Sequence, residues 1–146
     1  MKTLGFCLIS LLWGIPSALA CDCKPSEAIA VEVPKYTAIF IGEVVSRQSN
    51  FHEVKVQETF KGVKKDEILK VHYDPNHMCD MDLEVKGRYL FFMNQANVED
   101  NVTPGMWRSS LCSPSRGMKF AGPTLKALRA YFKKEGRVLS RPRIGS

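Results

Sequence analysis

The chain has 146 residues, 45% of them hydrophobic and 25% charged, with a formal net charge of +6 and five cysteines. That is enough for one compact domain with its own core and hardly enough for two. No serine elbow, zinc-binding helix motif, paired-carboxylate motif or phosphate loop is present, so nothing points to an enzyme or to a resident cofactor.

Lys2 gives a positive start, Leu4 to Ile15 forms a short apolar run, and Ala18-Leu19-Ala20 follows as a small-residue site. This is the order of a secretory signal peptide over residues 1–20, with Cys21 becoming the first mature residue of an exported domain over 21–136. No later apolar run is long enough to span a bilayer. The exported part holds Cys21, Cys23, Cys79 and Cys112, an even number that predicts two disulfides, with three pairings open.

Without the leader, 20 basic residues face 15 acidic ones. Eight of the basic residues lie between Lys119 and Arg143, against the single acid Glu135. A basic C-terminal stretch therefore follows a nearly neutral body, and residues 137–146, with Pro142 and three arginines, read as a loose tail.

Ser26 is placed to cap a short helix carrying Ala28, Ile29 and Val31, which Pro34 ends. Residues 37–46 are rich in β-branched and aromatic side chains, and Gly42 among them suggests a bulge or sharp bend in a strand. The stretch 51–62 alternates Val54 and Val56 with Glu53, Lys55 and Gln57, as a half-buried strand does. Strands are also expected over 67–74, 88–95 and 106–112. The fourth is apolar on both faces from Tyr89 to Met93, which suits a central position, and Gly87 marks the turn before it. Over 122–136 the spacing predicts an amphipathic helix with Thr124 as its cap, Leu125, Leu128, Tyr131 and Phe132 on one stripe, and Gly136 at its end. About five short strands and a helix indicate a small twisted barrel rather than a parallel α/β sheet.

The motif Cys-x-Cys-x-Pro at the new N terminus, the GEVV strand, the following Phe60-Lys61-Gly62, a mid-chain cysteine and a late one resemble a netrin-like module. More narrowly, residues 21 to 132 resemble the inhibitory N-terminal domain of the tissue inhibitors of metalloproteinases. That resemblance implies a mainly β fold, a five-stranded Greek-key OB-fold barrel with flanking helices, and disulfides Cys21–Cys79 and Cys23–Cys112. It further implies that the α-amine and carbonyl of Cys21 chelate the catalytic zinc of a target metalloendopeptidase. Cys21, Asp22 and Cys23, with Asn76, His77, Met78 and Cys79, would form the inhibitory wedge. Asp22 stands where that family favours a small hydroxyl residue. The inhibitors' usual third disulfide and their second domain have no counterpart here.

Other readings of the same residues remain. Cys-x-Cys with His52, His72 or His77 is a metal-site pattern, but export favours oxidation and no second ligand pair has the usual spacing. Ala18-Leu19-Ala20-Cys21 also loosely fits a lipoprotein processing site, which would acylate the Cys21 amine and make the protein a lipid-anchored binding module. The basic residues Lys126, Arg129, Lys133, Lys134, Arg137, Arg141 and Arg143 fit a heparin-like polyanion, whereas export and the lack of interleaved aromatics argue against nucleic acid. Asp80, Asp82 and Glu84 form an acidic cluster without calcium-loop spacing. Asn101-Val102-Thr103 is a glycosylation acceptor by pattern, disfavoured by Pro104.

Overall fold

The computed structural model describes residues 21, 23–77, 79–96 and 102–136. The predicted leader, Asp22, Met78, Asn101 and the basic tail therefore lie outside the described residues.

Six strands, β1 (Ala38–Arg47), β2 (Phe51–Lys61), β3 (Ile68–His72), β4 (Arg88–Gln95), β5 (Trp107–Arg108) and β6 (Arg116–Gly117), form one sheet in the order β1-β2-β3-β5-β4-β6. Because β1 also pairs antiparallel with β4, from Ala38–Met93 to Glu43–Arg88, the first five close on themselves. The result is the expected five-stranded Greek-key OB-fold barrel. Its seam is the parallel contact of β3 with β5, a single pair Val71–Trp107.

The register explains why β1 and β4 are apolar on both faces. Phe40, Val44, Val54, Val56, Leu69, Val71, Phe91 and Met93 point into the barrel and pack with Leu83. Ile39, Ile41, Leu90 and Phe92 point outward, where Val33, Phe60 and the C-terminal helix cover them. Alternation by two along each strand thus feeds two cores.

β1 slips register against β2 between Ile41 and Gly42, the bulge that Gly42 suggested. A Cβ at Gly42 would stand 2.5 Å from Cγ1 of Val54, so the bend depends on the missing side chain. At the end of β2, Gly62 takes φ +79°, and a Cβ there would meet the Thr37 carbonyl oxygen at 2.0 Å.

The helices form where expected but start differently. α1 spans Ile29–Glu32 and runs into a 3-10 turn, Val33–Lys35, with Pro34 in its first turn. No side chain caps α1, and Ser26 lies exposed before it, so the expected Ser26 cap is absent. α2 spans Gly122–Lys134 with Ala121 at its start, so Thr124 sits inside the first turn rather than capping it. Pro123 takes over the role of a start signal, because its ring presets φ and it brings no N–H to satisfy. Leu128 and Phe132 of α2 are fully buried against the outer core, each worth about 1.5–3 kcal/mol of transfer free energy.

The fifth strand is shorter than expected. Only Trp107–Arg108 pair as a strand, and from Ser110 the chain turns so that Cys112 reaches the N-terminal segment. The sequence carries no sign of β6, whose two residues pair with Tyr89 and Leu90. Among the described residues, no helix is long and apolar enough to cross a membrane.

Candidate functional site

Both disulfides join as the resemblance implied: Cys21 to Cys79 with Cα atoms 5.6 Å apart, and Cys23 to Cys112 at 4.9 Å. They close loops of 58 and 89 residues and bring three distant segments to one end of the barrel. The first segment, residues 23–28, is exposed and belongs to no helix or strand. At its tip the Cys23 N–H donates to the Cys21 carbonyl oxygen at 3.0 Å. A carbonyl oxygen has two lone pairs, so that bond leaves one for another partner.

The second segment, 74–80, is folded on itself by short-range bonds. Asp74 Oδ1 accepts the Asn76 N–H at 2.8 Å, the His77 N–H reaches the Asp74 carbonyl at 3.0 Å, and the Asp80 N–H reaches the His77 carbonyl at 3.1 Å. At the centre is the Asp80 carboxylate, whose side chain is only 2% exposed. Oδ2 accepts the Asp74 N–H at 3.0 Å and faces His72 Nε2 at 3.9 Å, while Oδ1 faces His77 Nδ1 at 3.2 Å. A buried carboxylate with these partners ties the loop into one shape, and Asn76 and His77 stand exposed on its outside. Sequence reasoning placed Asp80 in an acidic cluster and missed this role. Its signal was the His77-x-x-Asp80 spacing around Cys79.

In the third segment Cys112 was expected through its disulfide, but the residues around it were not foreseen as part of the site. Asp80 pairs with Ser110 in an isolated antiparallel bridge, and the Leu111 N–H donates to the Cys79 carbonyl at 2.9 Å. Ser110 Oγ accepts the Cys112 N–H at 3.0 Å, and Ser113 donates to the Ser110 carbonyl at 2.7 Å. Behind them Ser115 is buried: its hydroxyl accepts the Phe92 N–H at 2.7 Å and donates to the Phe92 carbonyl at 3.1 Å, replacing a strand partner for β4. The serines around Cys112 were the available signal. Leu111, between the bonded groups, is 55% exposed.

Next to the two bridges lies a shallow cavity of about 340 Å³ lined by Tyr36, His77, Asn94, Arg108 and Ser110, among others. Burial, followed by the charge of Glu32, pushes the Tyr36 hydroxyl up, so it stays a neutral phenol.

No family model and no curated protein matches the chain.

The residues with metal-site or polyanion patterns are arranged differently. Cys21, Cys23, Cys79 and Cys112 are all in disulfides, and among the described residues no group of three or more His, Cys, Asp or Glu is placed to hold a metal ion. His72 and His77 meet at Asp80, whereas His52 is fully buried with its ring edge-on to Tyr73, centroids 4.9 Å apart. Among the described residues neither His52 nitrogen has a hydrogen-bond partner. Burial, reinforced by Arg47 and opposed by Asp82, pushes this imidazole below its ordinary value. On α2, Nη2 of Arg129 donates to both oxygens of the Glu58 carboxylate at 3.1 Å, which occupies it within the protein. Lys126, Lys133 and Lys134 are exposed on that helix, while Arg137, Arg141 and Arg143 lie outside the described residues.

Proposed function

We propose that the chain is exported, loses residues 1–20, and inhibits a zinc metalloendopeptidase through its new N terminus. One observation carries this reading: two disulfides at alternate residues fasten the Cys21–Cys23 tip to loops that are themselves internally bonded. The result is a protruding edge of three segments with little freedom to lose on binding, and rigidity of this kind converts contact into affinity.

Cleavage before Cys21 creates an α-amine next to a carbonyl with a lone pair to spare. These two atoms can close a five-membered chelate on a metal. An α-amine has a reference pKa of about 8, so a useful fraction carries its lone pair near neutrality. A catalytic zinc with three protein ligands keeps an open position for a water, and filling that position removes the nucleophile. Asp22 would enter the adjoining pocket. A carboxylate there is repelled by the catalytic glutamate of such a protease, which directs the choice of target towards a pocket with a compensating cation.

The test uses mature protein whose N-terminal mass confirms a free Cys21 amine. Slow, tight inhibition of a zinc endopeptidase is expected, abolished by one alanine added before Cys21 or by carbamylation of the amine. Mature protein that inhibits no member of a broad metalloprotease panel, or inhibition that survives the added alanine, would overturn the reading in favour of a binding module.

A further inference from the structure

The arm from Cys23 to Ala28 stands off the barrel. A recess of about 700 Å³ is lined by Lys24, Ser26 and Glu27 on its side and by Glu32, Lys35 and Tyr36 on the other. Among the described residues, Glu27 is the residue of 23–27 that hydrogen-bonds to the helical turn beyond the arm, the other ties being the disulfide and the Cys23 N–H to the Cys21 carbonyl. Its N–H donates to Glu32 Oε1 at 3.0 Å, and its carboxylate pairs with the Lys35 ammonium.

Glu32 is an unexpected residue for that task on sequence grounds, because it sits at the end of a one-turn helix and is 6% exposed. Burying a carboxylate is costly, and an apolar residue of similar size would fill the space more favourably. What the carboxylate has instead is two partners: the Glu27 N–H and, at 3.4 Å, the Lys35 ammonium. The ground beneath it is firm. Lys61 of β2 donates to the carbonyls of Val33 and Tyr36, and Asn94 of β4 accepts the Thr37 N–H at 2.9 Å and donates to the Lys35 carbonyl at 3.2 Å. The turn that carries Glu32 is therefore fixed to two barrel strands.

We infer that Glu32 is a positioning residue: its carboxylate holds the Glu27 N–H and so sets where the arm, and with it the Cys21–Cys23 tip, stands relative to the other two segments. The effect on a partner rests on the inhibitor reading above; the effect on the arm does not. Glutamine at this position keeps an oxygen acceptor of the same reach, whereas alanine removes it.

The experiment compares mature wild-type protein with Glu32→Ala and Glu32→Gln by amide hydrogen exchange and by inhibition of the target protease. In Glu32→Ala the Glu27 amide should exchange about tenfold faster or more, and inhibition should weaken by roughly fivefold to twentyfold, as the arm must be ordered on binding. Glu32→Gln should retain both. If Glu32→Ala does not fold, Glu32→Asp, which keeps the charge but draws the acceptor back by one methylene, takes its place with the same expectation. An unchanged Glu27 amide in the alanine or aspartate variant, or a glutamine variant as defective as the alanine one, overturns the assignment. Should wild-type protein inhibit no protease, the inhibitor reading fails and the exchange comparison alone decides the role of Glu32.

Discussion

Replacing both Cys23 and Cys112 by serine tests whether the arm is an attachment to the barrel or part of its core. The bridge closes a loop of 89 residues, which chain entropy values at about 4.6 kcal/mol of stability. Part of that returns when the bridge is absent. Residues 23–28 are exposed and belong to no helix or strand, so the folded variant regains arm freedom worth up to about 1 kcal/mol per residue. The Cys21–Cys79 bridge and the Glu27–Glu32 bond limit the regain to a fraction of it. The expected net loss is about 2–4 kcal/mol. With an unfolding entropy of about 0.25 kcal/mol/K for a domain of about 120 residues, Tm should fall by roughly 8–16 °C. Calorimetry of the two proteins, each prepared as residues 21–146, under non-reducing conditions measures this. The unfolding should stay a single cooperative transition. A fall under about 3 °C would mean that the bridge constrains little, and loss of the transition altogether would place the arm in the core; either result refutes the reasoning.

His52 should make the protein acid-sensitive. Its folded-state affinity for a proton is lowered by burial, so the stability it supports is present above the ordinary imidazole value and is lost as pH falls below it. The urea midpoint of wild type should therefore drop between about pH 7 and about pH 5, and His52→Phe, an apolar ring for the same slot, should flatten that slope; equal slopes would remove His52 as the cause. Phe132→Ala should cost about 3–5 kcal/mol, because the ring is fully buried and stacked on Phe60 with centroids 6.1 Å apart. A loss under about 1 kcal/mol in the denaturant midpoint would show that α2 does not seal the outer core.

The strands that alternate or are wholly apolar were legible because their pattern reports burial directly: Val54 and Val56 of β2 and the run from Leu90 to Met93 of β4 are all 0% exposed. Features set by tertiary contact were not. β5 ends after two residues because Cys112 must reach the arm, and β6 exists only because Tyr89 and Leu90 lie alongside it. Ser26 and Thr124 are good capping residues by type, but Pro123 and the extended arm decide where the helices begin. At the candidate site the cysteines were readable, since an even count after a leader-like start limits their chemistry. Asp80 and Glu32 were not, because a buried carboxylate looks like any surface acid until its partners are in place. The hydroxyl of Ser115, acting as a strand partner for Phe92, was hidden for the same reason.

The separation of arm from barrel also bears on how such a protein can change. Lys24, Pro25 and Ser26 are exposed and contribute nothing to either core, so their replacement is close to neutral for folding. Under the inhibitor reading proposed above, recognition can then drift or be selected without a stability threshold intervening, provided Cys21, Cys23 and the Glu27 backbone amide stay in register with their anchors. A display library randomised at those three positions should retain a large folded fraction, which makes the arm a natural place to engineer binding on an otherwise constant scaffold.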